Sequence, residues 1–207
     1  MFHSDFESVL PYRALAIAVL AVFYAIYFTK LFTQKKHGTK AYRIGERKEK
    51  DTRLVERLMS AATLAVVAVQ LVSIIAGWSI LPGGARFTGF ITALAGDALF
   101  LAAVLGMRDS WRVGIPESGK TEMVTNGVYS YSRNPAFVGF DLMYIGVCLM
   151  YCNVLTAIFS AFAVVMLHMQ ILQEEKYLSE TFGEEYLIYK KTVSRYLGRK
   201  SKNVSRL

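Results

Sequence analysis

GVYSYSRNPAFVG, Gly127–Gly139, runs into an apolar stretch that ends at EEKYLSETFGEEYLIY, Glu174–Tyr189. Between them, residues 136–173 hold no acid, base or imidazole except Asp141 and His168. That is enough apolar chain for two membrane helices joined by a turn near Asn153. A helical hairpin returns the chain to the side it left. Arg133, at the mouth of one helix, and Glu174 and Glu175, at the end of the next, are therefore expected at one membrane surface. Pro135 has no N–H and disfavours helix at Asn134, so it should start the helix and leave the backbone of residues 132–134 open. A guanidinium and two carboxylates at a bilayer boundary are costly to place. They suggest a site for a small charged ligand.

The rest of the chain has the same texture. Its 207 residues fit one domain, read as a single membrane domain over 1–207, and 54% of them are hydrophobic. The apolar residues come in long blocks: Leu10–Phe32, Leu58–Leu81, Phe87–Met107, Ala136–Cys152 and Val154–Gln173. The fold class is accordingly all-α integral membrane, with five transmembrane helices, a C-terminal helical hairpin and an amphipathic capping tail on the cytoplasmic side. The connections 34–57 and 108–135 and the tail from Glu174 hold all the Lys and Arg residues except Arg13, Lys30 and Arg86. The positive-inside rule then puts the N-terminus outside and the hairpin mouth in the cytoplasm. A net charge of +8 in such a chain points to anionic lipid rather than nucleic acid.

Cys148 and Cys152 share a helical face as small apolar residues, and no metal set forms around His3, His37 and His168. The first apolar run is long enough to span, so no cleavable signal peptide is expected. Asp97, Asp141 and His168 are the ionisable groups inside crossings, which makes each a functional candidate by default. Asp141 lies roughly 12 Å inward of Arg133 and His168 about 9 Å inward of Glu174, at the helical rise. Antiparallel neighbours at similar depth are expected to pair.

Gly-x-Tyr-x-x-x-Arg-Asn-Pro at Gly127–Pro135, a hairpin, then Glu-Glu-x-x-Leu-x-x-x-Phe-Gly-x-x-Tyr-x-x-Tyr at Glu174–Tyr189 resembles the C-terminal signature of a family of membrane methyltransferases. The family is that of isoprenylcysteine carboxyl methyltransferase and the phospholipid N-methyltransferases. The resemblance runs from about Gly106 to Leu197 and implies S-adenosylmethionine as cofactor and a lipophilic acceptor. On that reading Arg133 suits the donor's carboxylate, because its planar fork binds bidentately. Glu174 or Glu175 suits the ammonium or a ribose hydroxyl. Catalytic weight falls on Arg133 and Glu175, with Tyr129, Tyr131, Asn134, Pro135 and Phe137 as further walls for the donor. Trp111 and Arg112 resemble another family position, packing over the donor or meeting a substrate headgroup. They join Asp141 and His168 as candidate substrate contacts. Interfacial anchoring accounts for Trp111, Arg112 and the tyrosines equally well.

Two positions depart from the pattern. Asn134 stands where carboxyl methyltransferases of this family commonly have His, and Val128 where Pro is usual. Asn does not titrate near neutrality, so this position supplies no general base. A carboxylate acceptor needs none, whereas an amine must lose its proton first. Two other classes share features with this chain: NADPH-binding sterol reductases, and non-catalytic lipid-binding proteins that keep the fold.

Overall fold

Helix boundaries in this chain follow from a few punctuating residues. The computed structural model describes residues 2–36, 42–45, 49–108, 113–115 and 123–199, with side chains from Pro11 onward. The helices are α1 (Phe2–Lys36), α2 (Lys50–Ala76), α3 (Gly83–Met107), α4 (Pro135–Met150), α5 (Val154–Phe182) and α6 (Glu184–Thr192). Gly77 ends α2 in the left-handed region at φ 71°, and its N–H donates to the Ile74 carbonyl. Pro135 opens α4 at a position whose N–H would have no helical partner anyway. Asn153 starts α5 through a reciprocal cap. Its side chain accepts from the Thr156 N–H at 3.0 Å, and the Thr156 hydroxyl accepts from the Asn153 N–H at 2.9 Å. Gly183, at φ 53°, separates α5 from α6.

Buried polar groups set how the helices run. The Tyr12 hydroxyl donates to the Gly83 carbonyl and the Gln34 amide to that of Arg108, so α1 lies parallel to α3. The Thr52 hydroxyl donates to the Gln173 side chain, and the Gln70 amide donates to Ser160 Oγ and to the Tyr144 carbonyl. The Asn153 amide reaches Ser73, which makes α2 and α5 antiparallel. One end of the bundle thus collects the C-terminal ends of α1, α3 and α5 and the N-terminal ends of α2 and α4. In the middle, Phe23 stacks on Phe100 at 4.4 Å, and Phe140 meets both edge-on.

Helices α3 and α4 touch backbone to backbone. A Cβ on Gly96 would lie 2.7 Å from the Gly139 carbonyl oxygen, and one on Gly89 2.5 Å from that of Gly146. A Cβ on Gly146 would run into the Ala93 amide. Small residues at such crossings let helices approach without a hydrophobic driving force between them. Gly96→Leu should therefore force the pair apart and cost about 3 kcal/mol, the upper part of the range for overpacking. The thermal midpoint of the detergent-purified protein should drop, whereas Gly84→Leu, where a Cβ meets open space, should leave it in place.

The expected hairpin is present, turning at Asn153. Four helices, Pro11–Lys36, Lys50–Ala76, Gly83–Met107 and Val154–Phe182, are long and apolar enough to cross a membrane. Helix α4 is shorter at 16 residues, about 24 Å, yet lies along α3 from Gly139 to Gly146. Helix α2 starts before the apolar block expected from Leu58. Its first two turns are polar and are held by Thr52 to Gln173 and by the buried Glu56.

Candidate functional site

The loop before α4 is shaped by its own backbone and then clamped by the tail. Gly127–Ser130 forms a single 3-10 turn, and Ser132 Oγ accepts from the Asn134 N–H at 3.1 Å. After α6 the chain doubles back on this loop. The Arg133 N–H donates to the Ser194 carbonyl at 3.0 Å, and the Gly198 N–H to the Tyr131 carbonyl at 2.8 Å. The Tyr189 hydroxyl donates to the Tyr129 carbonyl at 2.6 Å. The amphipathic capping tail read from sequence is thus α6 plus a returning segment bonded to the loop.

Glu175 is the electrostatic centre of this clamp. Arg133 Nη2 lies 2.7 Å and Nε 3.2 Å from Glu175 Oε1, while Arg195 Nη2 lies 3.0 Å from Oε2. The Asn134 amide donates to Oε1 at 3.2 Å. Arg133 Nη1 donates to the Val193 and Lys190 carbonyls. The Arg133–Glu175 pair is almost fully buried, with side chains 3% and 4% exposed. The guanidinium expected to take a ligand carboxylate therefore spends its fork on Glu175 and the tail. Charged partners in low dielectric hold one another in place, so these bonds fix the loop against the tail.

Beside the clamp lies a cavity of about 630 Å³. Its polar end is lined by Arg133, Asn134, Glu174, Tyr129, Tyr186 and Tyr189. Its apolar end lies between α1 and α2 and is lined by Tyr24, Phe28, Met59, Leu64, Val67 and Phe140. Phe28 and Leu64 are also exposed on the outside of the bundle, and α1 and α2 barely touch one another. The cavity therefore reaches the surface between these helices. One further wall is made of two short loops that Glu56 staples together. Its Oε2 accepts from the Gly45 N–H at 2.6 Å and its Oε1 from the Ile115 N–H at 2.8 Å. Arg43 N–H donates to the Val113 carbonyl between them.

Of the residues singled out from sequence, Tyr129, Arg133, Asn134, Pro135, Phe137 and Glu174 line this cavity together. Glu175 stands behind the wall in the clamp. Tyr131 is 59% exposed and carries Arg199 over its ring instead. The expected Asp141–His168 bond is absent among the described residues: His168 Nδ1 bonds the Tyr196 hydroxyl and stacks on that ring. Neither Asp141 nor His168 lines the cavity. Tyr196, from the returning tail, reaches His168 first, a contact that residue depth along the hairpin does not reveal. Trp111 and Arg112 lie outside the described residues.

Sequence reasoning missed Arg195 and Glu56; Tyr186 entered it only as part of the capping tail. Tyr186 lines the cavity, with its buried hydroxyl next to the Arg133 guanidinium. Burial pushes its pKa up to about 12, so it is a donor at any physiological pH.

Residues 89–180 match the model of the isoprenylcysteine carboxyl methyltransferase (ICMT) family. The chain is 35% identical over 109 residues to the protein-S-isoprenylcysteine O-methyltransferase of Mus musculus, covering 51% of this chain and 38% of that one. It is 32% identical over 111 residues to protein-S-isoprenylcysteine O-methyltransferase A of Arabidopsis thaliana, covering 51% and 55% respectively. With the Saccharomyces cerevisiae enzyme of the same name the identity is 40% over 72 residues, or 34% of this chain and 30% of that one. The chain thus spans well under two thirds of these relatives. The matched residues carry α3 from Gly89 onward, the loop before α4, nearly all of the hairpin and both glutamates; Arg195 and the returning segment lie beyond residue 180. In the segment that builds most of the cavity's polar end, this chain resembles the isoprenylcysteine carboxyl methyltransferase family.

Proposed function

We propose that this chain is an integral membrane methyltransferase that uses S-adenosylmethionine on a lipophilic acceptor, a carboxylate of the prenylcysteine kind. One observation carries the reading: a single cavity joins a polar end at Glu174 to an apolar end that opens between α1 and α2. Its size falls in the range of small-molecule and cofactor sites. The residues fit the donor. Glu174 bears a carboxylate in the cavity, where it accepts from the Gln170 amide at 3.2 Å, and suits an ammonium or ribose hydroxyl. The Tyr186 hydroxyl offers a donor, and the Tyr129, Phe137 and Tyr177 rings offer faces that attract a cation.

When bound, the donor supplies an electrophilic methyl group on a sulfonium. The protein's part is to align the acceptor, keep water out and hold the walls still. Glu175, Arg133 and Arg195 hold the loop and tail; Glu56 holds the loops opposite. Asn134 supplies no base, which suits an acceptor that is already ionised near neutrality. The lysine and arginine distribution supports five crossings, an outside N-terminus and a cytoplasmic donor site.

Titration of the purified protein with S-adenosylhomocysteine, S-adenosylmethionine and NADPH tests the cofactor. Binding of the first two and not the third is expected, together with transfer of labelled methyl to a farnesylated cysteine as a base-labile ester. Binding of NADPH alone would favour a reductase-like protein, and binding of none a lipid-binding one.

A further inference from the structure

The end of the bundle opposite the cavity holds two arginines that nothing in the proposed reaction uses. Arg86, in the first turn of α3, is 7% exposed, and Arg13 of α1 is half-buried. The Arg86 guanidinium lies between two rings, 4.8 Å from the Tyr12 centroid and 4.7 Å from that of Tyr151. Both rings are close enough to attract the cation through their faces. Its in-plane edge is a different matter. Arg86 Nε and Nη2 are buried with no hydrogen-bond partner, as is Arg13 Nε. The Arg13 guanidinium is packed on Gly77, where a Cβ would sit 2.5 Å from Nη2. Both arginines bear on Tyr151 by their charge and by donors within reach of its hydroxyl, so the three side chains form one cluster.

Residues 11–20, 70–93 and 146–160, whose side chains the structure describes at this end, contain no Asp or Glu, while the first turns of α1 ahead of them carry Asp5 and Glu7. A buried and a half-buried cation with no counter-ion among the described side chains, on the side poor in Lys and Arg, run against both desolvation and the charge pattern of the rest of the chain. The first turn of α3 adds amides that no side chain caps, since Pro82 stands at its N-cap. A guanidinium edge with Nε and Nη2 both free matches two oxygens of a tetrahedral anion.

We propose that Arg13 and Arg86, with the Tyr151 hydroxyl, form a binding site for a phosphate-type oxyanion, as carried by the headgroup of an anionic phospholipid in the leaflet opposite the cavity. The two cations supply the charge and the two tyrosine rings orient Arg86. The site stands independently of the methyltransferase reading.

Native mass spectrometry of the full chain, titrated with phosphatidylglycerol or phosphatidylcholine, tests it. Inorganic phosphate against chloride at equal ionic strength, read as the thermal midpoint, forms the second arm. The parent should prefer phosphatidylglycerol by about tenfold or more, and Arg86→Gln or Arg13→Gln should each remove about tenfold of that affinity, as loss of charge-assisted bonds implies. Lys35→Gln/Lys36→Gln, at the other end of α1, should change it by less than about threefold, as for exposed charges. Stabilisation by inorganic phosphate that is lost in Arg86→Gln, without a lipid preference, would assign the site to a free oxyanion. If the Arg86 variant fails to fold, Tyr151→Phe keeps the ring and removes only the hydroxyl. It should fold and weaken phosphatidylglycerol binding by a factor of about three or more. Equal lipid and phosphate responses in parent and arginine variants, or an equal loss in the lysine variant, would overturn the proposal.

Discussion

Glu175→Ala is expected to free the C-terminal tail and to abolish measurable S-adenosylhomocysteine binding. The substitution leaves Arg133, 7% exposed, and Arg195 side by side with no carboxylate between them. Removing one partner of a buried charge cluster costs about 3–5 kcal/mol, because the remaining charge stays desolvated and unpaired. The tail supplies Tyr186 and Tyr189 to the cavity, so its release takes part of the polar end with it. Trypsin should then cut at Lys190, Lys191 and Arg195 in the native-state protein much faster than in the parent. Glu175→Gln keeps an acceptor oxygen and should fall between the two. Arg195→Gln should have a smaller effect, since the Arg195 side chain is 33% exposed and surface pairs contribute at most about 1 kcal/mol. A Glu175→Ala protein with the parent's protease resistance and thermal midpoint would show that the tail is held by its backbone bonds alone.

The same cluster shows what was legible in the sequence. That Arg133 and Glu175 meet at one end follows from the hairpin, because apolar length and a single turn at Asn153 fix which ends come together. That they bond each other, rather than the two ends of a ligand, does not follow. It depends on Arg195 and on the chain reversing after α6, and the reversal rests on backbone bonds from Arg133 to Ser194 and from Gly198 to Tyr131. Backbone bonds of that kind have no residue signature. Glu56 was hidden differently. It sits in a charge-rich connector that reads as solvated, yet it is fully buried because two loop amides point at its carboxylate. Arg86 was visible as an exception to the positive-inside pattern, but only the structure places its donors beside Arg13 without acceptors. Pattern along one chain locates ends and faces. Contacts between loops distant in sequence need the coordinates.

Adjacent glutamates with opposite roles give the sharpest test of the cavity. Glu174 and Glu175 are indistinguishable by spacing, and helix α5 turns them about 100° apart, one toward the cavity and one into the clamp. Glu174→Gln preserves shape and can still meet the Gln170 amide, so the thermal midpoint should stay close to the parent's. Its effect should appear in donor binding instead. A charge-assisted hydrogen bond contributes about 1.5–3 kcal/mol, so S-adenosylhomocysteine should bind roughly ten- to a hundredfold more weakly. The ligand offers a matching deletion. An analogue lacking the α-amino group should bind the parent and Glu174→Gln alike, closing a cycle in which protein and ligand lose the same contact. If the deaminated analogue still discriminates between the two proteins, Glu174 meets the ribose rather than the ammonium. If Glu174→Gln binds both ligands as the parent does, the carboxylate takes no part in binding and the donor lies elsewhere in the cavity.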